Sequence, residues 1–120
     1  MKKAYLAVIF AFAILASGCA RSDPYHHQPA QPSAQELMIQ YGCPTCHVIP
    51  HVPGAIGKVG PSLDDLPQRS YLAGTLQNSP QNLRNWIRHP QQIHPGTAMP
   101  EMGVTEQDAA RIAAFLQANP

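Results

Sequence analysis

The sequence predicts an all-α domain of three main helices joined by long loops. Three observations carry that prediction. Segments beginning at Ser33, Ser79 and Thr105 each open on a helix-capping residue and continue with apolar residues at helical spacing. The stretch from Val48 to Ser79 is so dense in proline and glycine that no long strand or helix survives there. Between the first segment and that stretch lies Cys43-Pro44-Thr45-Cys46-His47, which gathers two of the chain's three cysteines beside a histidine.

Ser33-Ala34-Gln35-Glu36 is a capping box, and Ala34, Leu37, Met38 and Tyr41 then form one apolar stripe. Gly42 stops this helix just before the cysteines. Ser79-Pro80 starts the middle helix, with Leu83, Trp86, Ile87 and Pro90 on one face and Arg84 and Arg88 elsewhere. Pro90 ends it near His89, and Gln91 to Gly103 reads as loop. The last helix opens at Thr105 with Asp108 completing a box-like pair, and its stripe is Ala109, Ile112, Ala113 and Leu116 with Phe115 beside it.

Two thiols and an imidazole within five residues serve one chemical centre. The best reading is covalent attachment of a c-type haem, each cysteine adding across one porphyrin vinyl group and His47 lying beneath the iron. A bare C-x-x-C also occurs in thioredoxin-type redox pairs and in zinc sites. The first expects a preceding strand in a βαβ pattern, and none is visible. The second wants four ligands; His51 could add one, and a fourth is not obvious. A domain this small with few aromatics would also gain much of its missing apolar mass from a large cofactor, and a loop wrapped around one has something to pack on.

The N-terminal residues read as an export signal. Lys2 and Lys3 precede an uncharged, mostly apolar run from Ala4 to Ala16, too short to span a bilayer comfortably. It ends in Ala16-Ser17-Gly18-Cys19, similar to a bacterial lipobox, although the large aliphatic Leu15 stands one place early. The expected organisation is a lipoprotein-type signal peptide at 1–18, a lipidated Cys19 and flexible linker over 19–32, and one domain over 33–120. Ordinary cleavage or an uncleaved anchor is the alternative. Lipidation would also account for the odd cysteine, which cannot form an internal disulfide. Pro24, Pro29 and Pro32 mark the linker, and His26-His27 read as solvated tether residues.

Cleavage before Cys19 removes Lys2 and Lys3, so six of the eight Lys and Arg remain against seven Asp and Glu, a formal net charge of −1. That excludes a polybasic nucleic-acid binder. Lys58 is the one lysine left, so a largely apolar docking patch with weak salt dependence is expected.

In its order of features the chain resembles a class I c-type cytochrome over about residues 33 to 120, with Cys43-Pro44-Thr45-Cys46-His47 on the N-terminal side and Met99 in a proline-flanked loop before the last helix. More narrowly, four groups of residues are similar to the cytochrome c domain fused to subunit II of some bacterial haem-copper oxidases. They are Gly60-Pro61-Ser62-Leu63; Ala73-Gly74-Thr75-Leu76 with Asn78; Asn82-Leu83 with Trp86-Ile87; and Pro95-Gly96 with Met99-Pro100. No copper-site sequence or transmembrane hairpin accompanies them.

The resemblance implies a class I cytochrome c fold wrapping one covalently bound haem c. It makes Cys43 and Cys46 the thioether anchors, and His47 and Met99 the axial iron ligands. Met102 is the rival to Met99, with His94 and His89 behind it; Met38 reads as core. Pro61 would accept from His47, and Arg69, Tyr71 and Trp86 would meet the haem propionates, though the Trp86 ring also completes its helix stripe. Filled axial positions imply an electron carrier and not an enzyme. The expected role is a carrier anchored on the bacterial periplasmic side, or soluble there, feeding a terminal oxidase or another respiratory complex. The other reading is a haem subunit of a periplasmic dehydrogenase. A sensor whose ferrous haem binds CO is a third.

Overall fold

The computed structural model describes residues 30–119, so the signal segment, Cys19 and His26-His27 lie outside the described residues. Helix α1 spans Ala34–Gln40. Its capping box forms as the sequence predicts: Glu36 N donates to Ser33 Oγ at 3.2 Å and Ser33 N donates to Glu36 Oε2 at 2.7 Å. Leu37 and Met38 are buried, which agrees with Met38 as core. The helix ends where Gly42 takes a left-handed φ of 79°, open to a residue without Cβ.

The chain turns directly into a short 3-10 helix, Cys43–Thr45. Cys46 N and His47 N both donate to Cys43 O, at 3.2 and 3.1 Å. Residues three apart eclipse one another in such a turn. Cys43 and Cys46 are thereby brought to one side, with His47 next to them.

The loop that follows is irregular, as predicted, yet it is not loosely attached. Ile49, Val52, Ala55 and Leu66 are buried in the core, and a single bridge pairs Val48 with Ile56. Two features within it go beyond the sequence reading. Leu66–Gln68 forms a 3-10 turn, and strands β1 (Tyr71–Leu72) and β2 (Leu76–Gln77) pair antiparallel. Leu72 pairs with Leu76 across a three-residue connection, in which Ala73 at φ 48° and Gly74 at φ 81° make the tight turn that Thr75 N closes by donating to Leu72 O at 3.2 Å. Ala73 gives a weak signal for it because alanine seldom takes that conformation.

Helix α2 covers Pro80–Arg88, capped by Ser79 Oγ accepting from Asn82 N at 3.2 Å. The expected loop from Gln91 is corrected at its start: Pro90–Ile93 forms a further short helix, α3. Pro90 cannot continue α2, but its fixed φ and missing N–H suit the first position of a new turn. His94 N then donates to Pro90 O at 2.9 Å.

Helix α4, Glu106–Ala118, starts at Thr105, whose Oγ1 accepts from Asp108 N at 3.1 Å. The predicted stripe faces inward: Ala109, Ile112, Ala113 and Leu116 are at most 4% exposed. Helix α4 packs on α2 and α1, joining Leu83, Ile87, Leu37 and Met38 in one core. Burying an isoleucine the size of Ile112 stabilises by about 2 kcal/mol. Two polar contacts fix the same helix start, Arg88 to Glu106 from α2 and Tyr41 to Asp108 from the end of α1. Among the described residues no helix is long and apolar enough to cross a membrane.

Candidate functional site

Helices α1, α2 and α4, the cysteine turn, β1 and the intervening loops converge on one cavity of about 600 Å³, within the roughly 300–1,000 Å³ of small-ligand and cofactor sites. Its apolar wall comes from Met38, Leu66, Leu83, Ile87, Ile112 and Leu116, one or two from each packed element. Cys43, Cys46 and His47 sit together on that wall. Burial pushes the Cys43 thiol above its usual range, as an apolar surrounding disfavours a thiolate. Among the described residues, no three His, Cys, Asp or Glu side chains converge to hold a bare metal ion. The chemistry-bearing residues instead line a space suited to a large apolar group.

The histidine is held in a defined orientation. Its Nδ1 lies 2.7 Å from Pro61 O. A carbonyl only accepts, so Nδ1 carries a proton and is committed to this bond, and Nε2 is the ring nitrogen left for another partner. Gly60 makes this approach possible: a Cβ there would stand 2.3 Å from His47 Cε1. Gly57 does the same for the backbone, since a Cβ on it would fall 2.5 Å from Thr45 O and Cys46 C. Gly60 N also donates to Cys46 O at 2.8 Å, and Leu63 N to Val48 O at 2.9 Å. The segment 57–63 is therefore a close-fitting brace behind the cysteine turn. In the sequence Gly57 is one of the many turn formers between Val48 and Ser79; nothing local shows that its missing Cβ faces residues 45 and 46.

The remaining predicted residues line the same cavity: Pro61, Arg69, Tyr71, Trp86 and Met99. So do Met102 and His94. His89 stands apart, with its Nδ1 3.8 Å from Glu101 Oε2. Arg69 is oriented by an ion pair with Asp65 and by donation to Ser62 O, and the guanidinium holds the Asp65 carboxyl below its ordinary range. Tyr71 is 59% exposed at the cavity mouth. Trp86 is half-buried beside the buried Leu83 and Ile87, so it serves stripe and cavity together. Asn78, given no role by the sequence, is a hub: its Nδ2 donates to Leu66 O at 2.7 Å and to Arg69 O at 2.8 Å, and its Oδ1 accepts from Gln117 Nε2 at 2.8 Å. It ties the Arg69 segment to α4.

The cytochrome c family model matches residues 33–120, the capped first helix through the end of the last. The chain belongs to the cytochrome c family. Its fold is accordingly the class I cytochrome c fold, and its cofactor is covalently bound haem c, for which Cys43 and Cys46 have the required spacing. The domain's work is haem-based electron transfer.

Two curated relatives are both called cytochrome c oxidase subunit 2. The protein from Alkalihalophilus pseudofirmus is 31% identical over 85 residues, 69% of this chain and 24% of that one. The protein from Bacillus sp. (strain PS3) is 30% identical over 66 residues, 53% of this chain and 18% of that one. The chain thus matches less than a quarter of the length of either relative. No solved structure matches.

Proposed function

We propose that the domain is a one-electron carrier whose single haem is bonded to Cys43 and Cys46 and ligated by His47 and Met99. In this reading a lipid on Cys19 tethers it on the periplasmic side of a bacterial membrane, where it delivers electrons to a terminal oxidase or another respiratory complex. The observation that carries the ligation is the His47–Pro61 hydrogen bond, which commits Nδ1 to donation and leaves Nε2 for iron. Met99 is favoured over Met102 because Met102 packs against the buried core. A thioether already used there is costly to withdraw.

Haem, when bound, supplies the Fe(III)/Fe(II) couple. The protein's residues do the rest. Leu83, Ile87 and Ile112 line the cavity and would shield the ring from water, while ligation by both His47 and Met99 would leave no coordination position for a substrate and the soft thioether would favour the ferrous state. Arg69, Tyr71 and Trp86 are the propionate partners. The likeness to two oxidase subunits supports an oxidase as acceptor, and Ala16-Ser17-Gly18-Cys19 supports the tether.

The test uses the full chain expressed with its N-terminal segment and a cytochrome c maturation system. The pyridine haemochrome spectrum is expected to be of the two-thioether type, and CO to leave the ferrous spectrum unchanged. Met99→Ala is expected to open the ferrous protein to CO, whereas Met102→Ala is not. Reduced protein is expected to turn over a haem-copper oxidase; failure to do so, with co-purification of a dehydrogenase, would replace the oxidase reading with the dehydrogenase-subunit one. Loss of labelled fatty acid in Cys19→Ser tests the lipid.

A further inference from the structure

Gln91 lies in the first turn of α3, and its side chain reaches across to the loop that carries Met99. Its Nε2 donates to Thr97 O at 2.8 Å and to Met99 O at 2.7 Å. Its Oε1 accepts from Gly96 N at 3.2 Å, and its own backbone N donates to Glu101 Oε1 at 3.1 Å. One residue thus fastens the loop at positions 96, 97, 99 and 101. Gly96 contributes through its φ of 82°, a conformation that favours glycine.

The chemistry of the head group matters here. A primary amide offers two donors and an acceptor in one plane, and this loop uses all three. A carboxylate of the same shape would set acceptors against two carbonyls. An aliphatic side chain would leave three backbone groups to find water. The amide also starts from a fixed base, because the neighbouring Pro90 is buried and His94 N closes the helix turn on its carbonyl.

We infer that Gln91 is the positioning residue for Met99: it holds the ligand loop closed and thereby sets how firmly the thioether stays on the iron. The inference rests on the proposed ligation by Met99. Without the clamp the loop samples more open conformations, Met99 leaves more often, and an external ligand competes better for the vacated position. The gain in external affinity measures the shift in the loop equilibrium.

The experiment compares ferric holoprotein carrying Gln91→Ala or Gln91→Glu with the unsubstituted chain. Gln117→Ala serves as a control, because it breaks a hydrogen bond to Asn78 remote from the loop. Imidazole is the probe. Both Gln91 variants are expected to bind it roughly tenfold or more tightly, the effect of losing two or three neutral hydrogen bonds. They are also expected to weaken the far-red thioether-to-iron band and to lower the reduction potential, while Gln117→Ala changes neither. Imidazole affinity within about twofold of the unsubstituted protein and an intact band, or an equal effect in Gln117→Ala, would overturn the inference.

In the unsubstituted protein the Gln91 side-chain amide protons are expected to exchange slowly. Exchange at the rate of a free amide overturns the inference even if neither variant assembles. If Met99→Ala keeps the far-red band and Met102→Ala loses it, the ligation reading itself is wrong, a result distinct from an intact band in the Gln91 variants alone.

Discussion

Tyr41 Oη donates to Asp108 Oδ2 at 2.7 Å across 67 positions of sequence. The bond joins the end of α1, one residue from the start of the cysteine turn, to the first turn of α4. Donation from Tyr41 and from the Thr105 hydroxyl, helped by the charge of Arg111, holds the Asp108 carboxyl below its ordinary range. The same carboxylate pushes the Tyr41 hydroxyl up.

A depressed carboxyl contributes stability above its unfolded pKa, about 3.9, and loses it as pH falls through the folded value. Tyr41→Phe is therefore expected to be less stable than the unsubstituted protein at neutral pH, with a gap that narrows below about pH 4. Denaturant unfolding of both proteins across that range measures it. A gap that stays constant would show that Asp108 titration is not linked to this bond.

Gly60 and Gly54 separate a clash from a strained backbone. Gly60→Ala places a methyl group 2.3 Å from the His47 ring, and overpacking of this kind costs roughly 1–3 kcal/mol. Its expected result is a displaced imidazole, an altered haem spectrum and a lower yield of holoprotein. Gly54 has φ 74° with nothing within 4 Å of its Cβ position. Gly54→Ala is thus expected to cost about 1 kcal/mol of stability while leaving the spectrum unchanged. Identical spectra for the two variants would contradict the brace behind His47.

Ile112 is 2% exposed and lies on the cavity wall as well as in the helix core. Truncation to alanine is expected to destabilise the holoprotein by about 2–5 kcal/mol. Urea unfolding followed by the visible spectrum measures it; a loss below about 1 kcal/mol would mean that the wall collapses into the space.

Docking should depend little on salt. Ile56 and Val59 are 79% and 70% exposed, Val59 borders the cavity, and Lys58 is the one lysine after position 18. The bimolecular electron-transfer rate is expected to change by less than about threefold between low and physiological ionic strength. A steep fall would point to the arginines as steering charges.

The parts of the fold legible in sequence are those governed by nearest neighbours. The capping box at Ser33-Glu36, the box-like pair of Thr105 and Asp108, the Ser79 cap and the α4 stripe depend on residues three or four apart, and all are present. Helix α3 and the hairpin at Ala73-Gly74 were not legible. Proline at position 90 serves equally as a stop and as a start, and alanine at a positive φ carries no local signal.

The sequence by itself determined the class of cofactor, because Cys43, Cys46 and His47 are adjacent and their chemistry needs nothing more distant to be recognised. It also determined the all-α framework through its caps and stripes. The tertiary structure decided which residues line the same cavity or brace those that do. Only folding brings Gly60 against the His47 ring, Pro61 O to its Nδ1, Asn78 between Arg69 and Gln117, and the Gln91 amide onto the Met99 loop. Those contacts depend on how the loops close on the three-helix core, and no spacing rule within one segment encodes that closure.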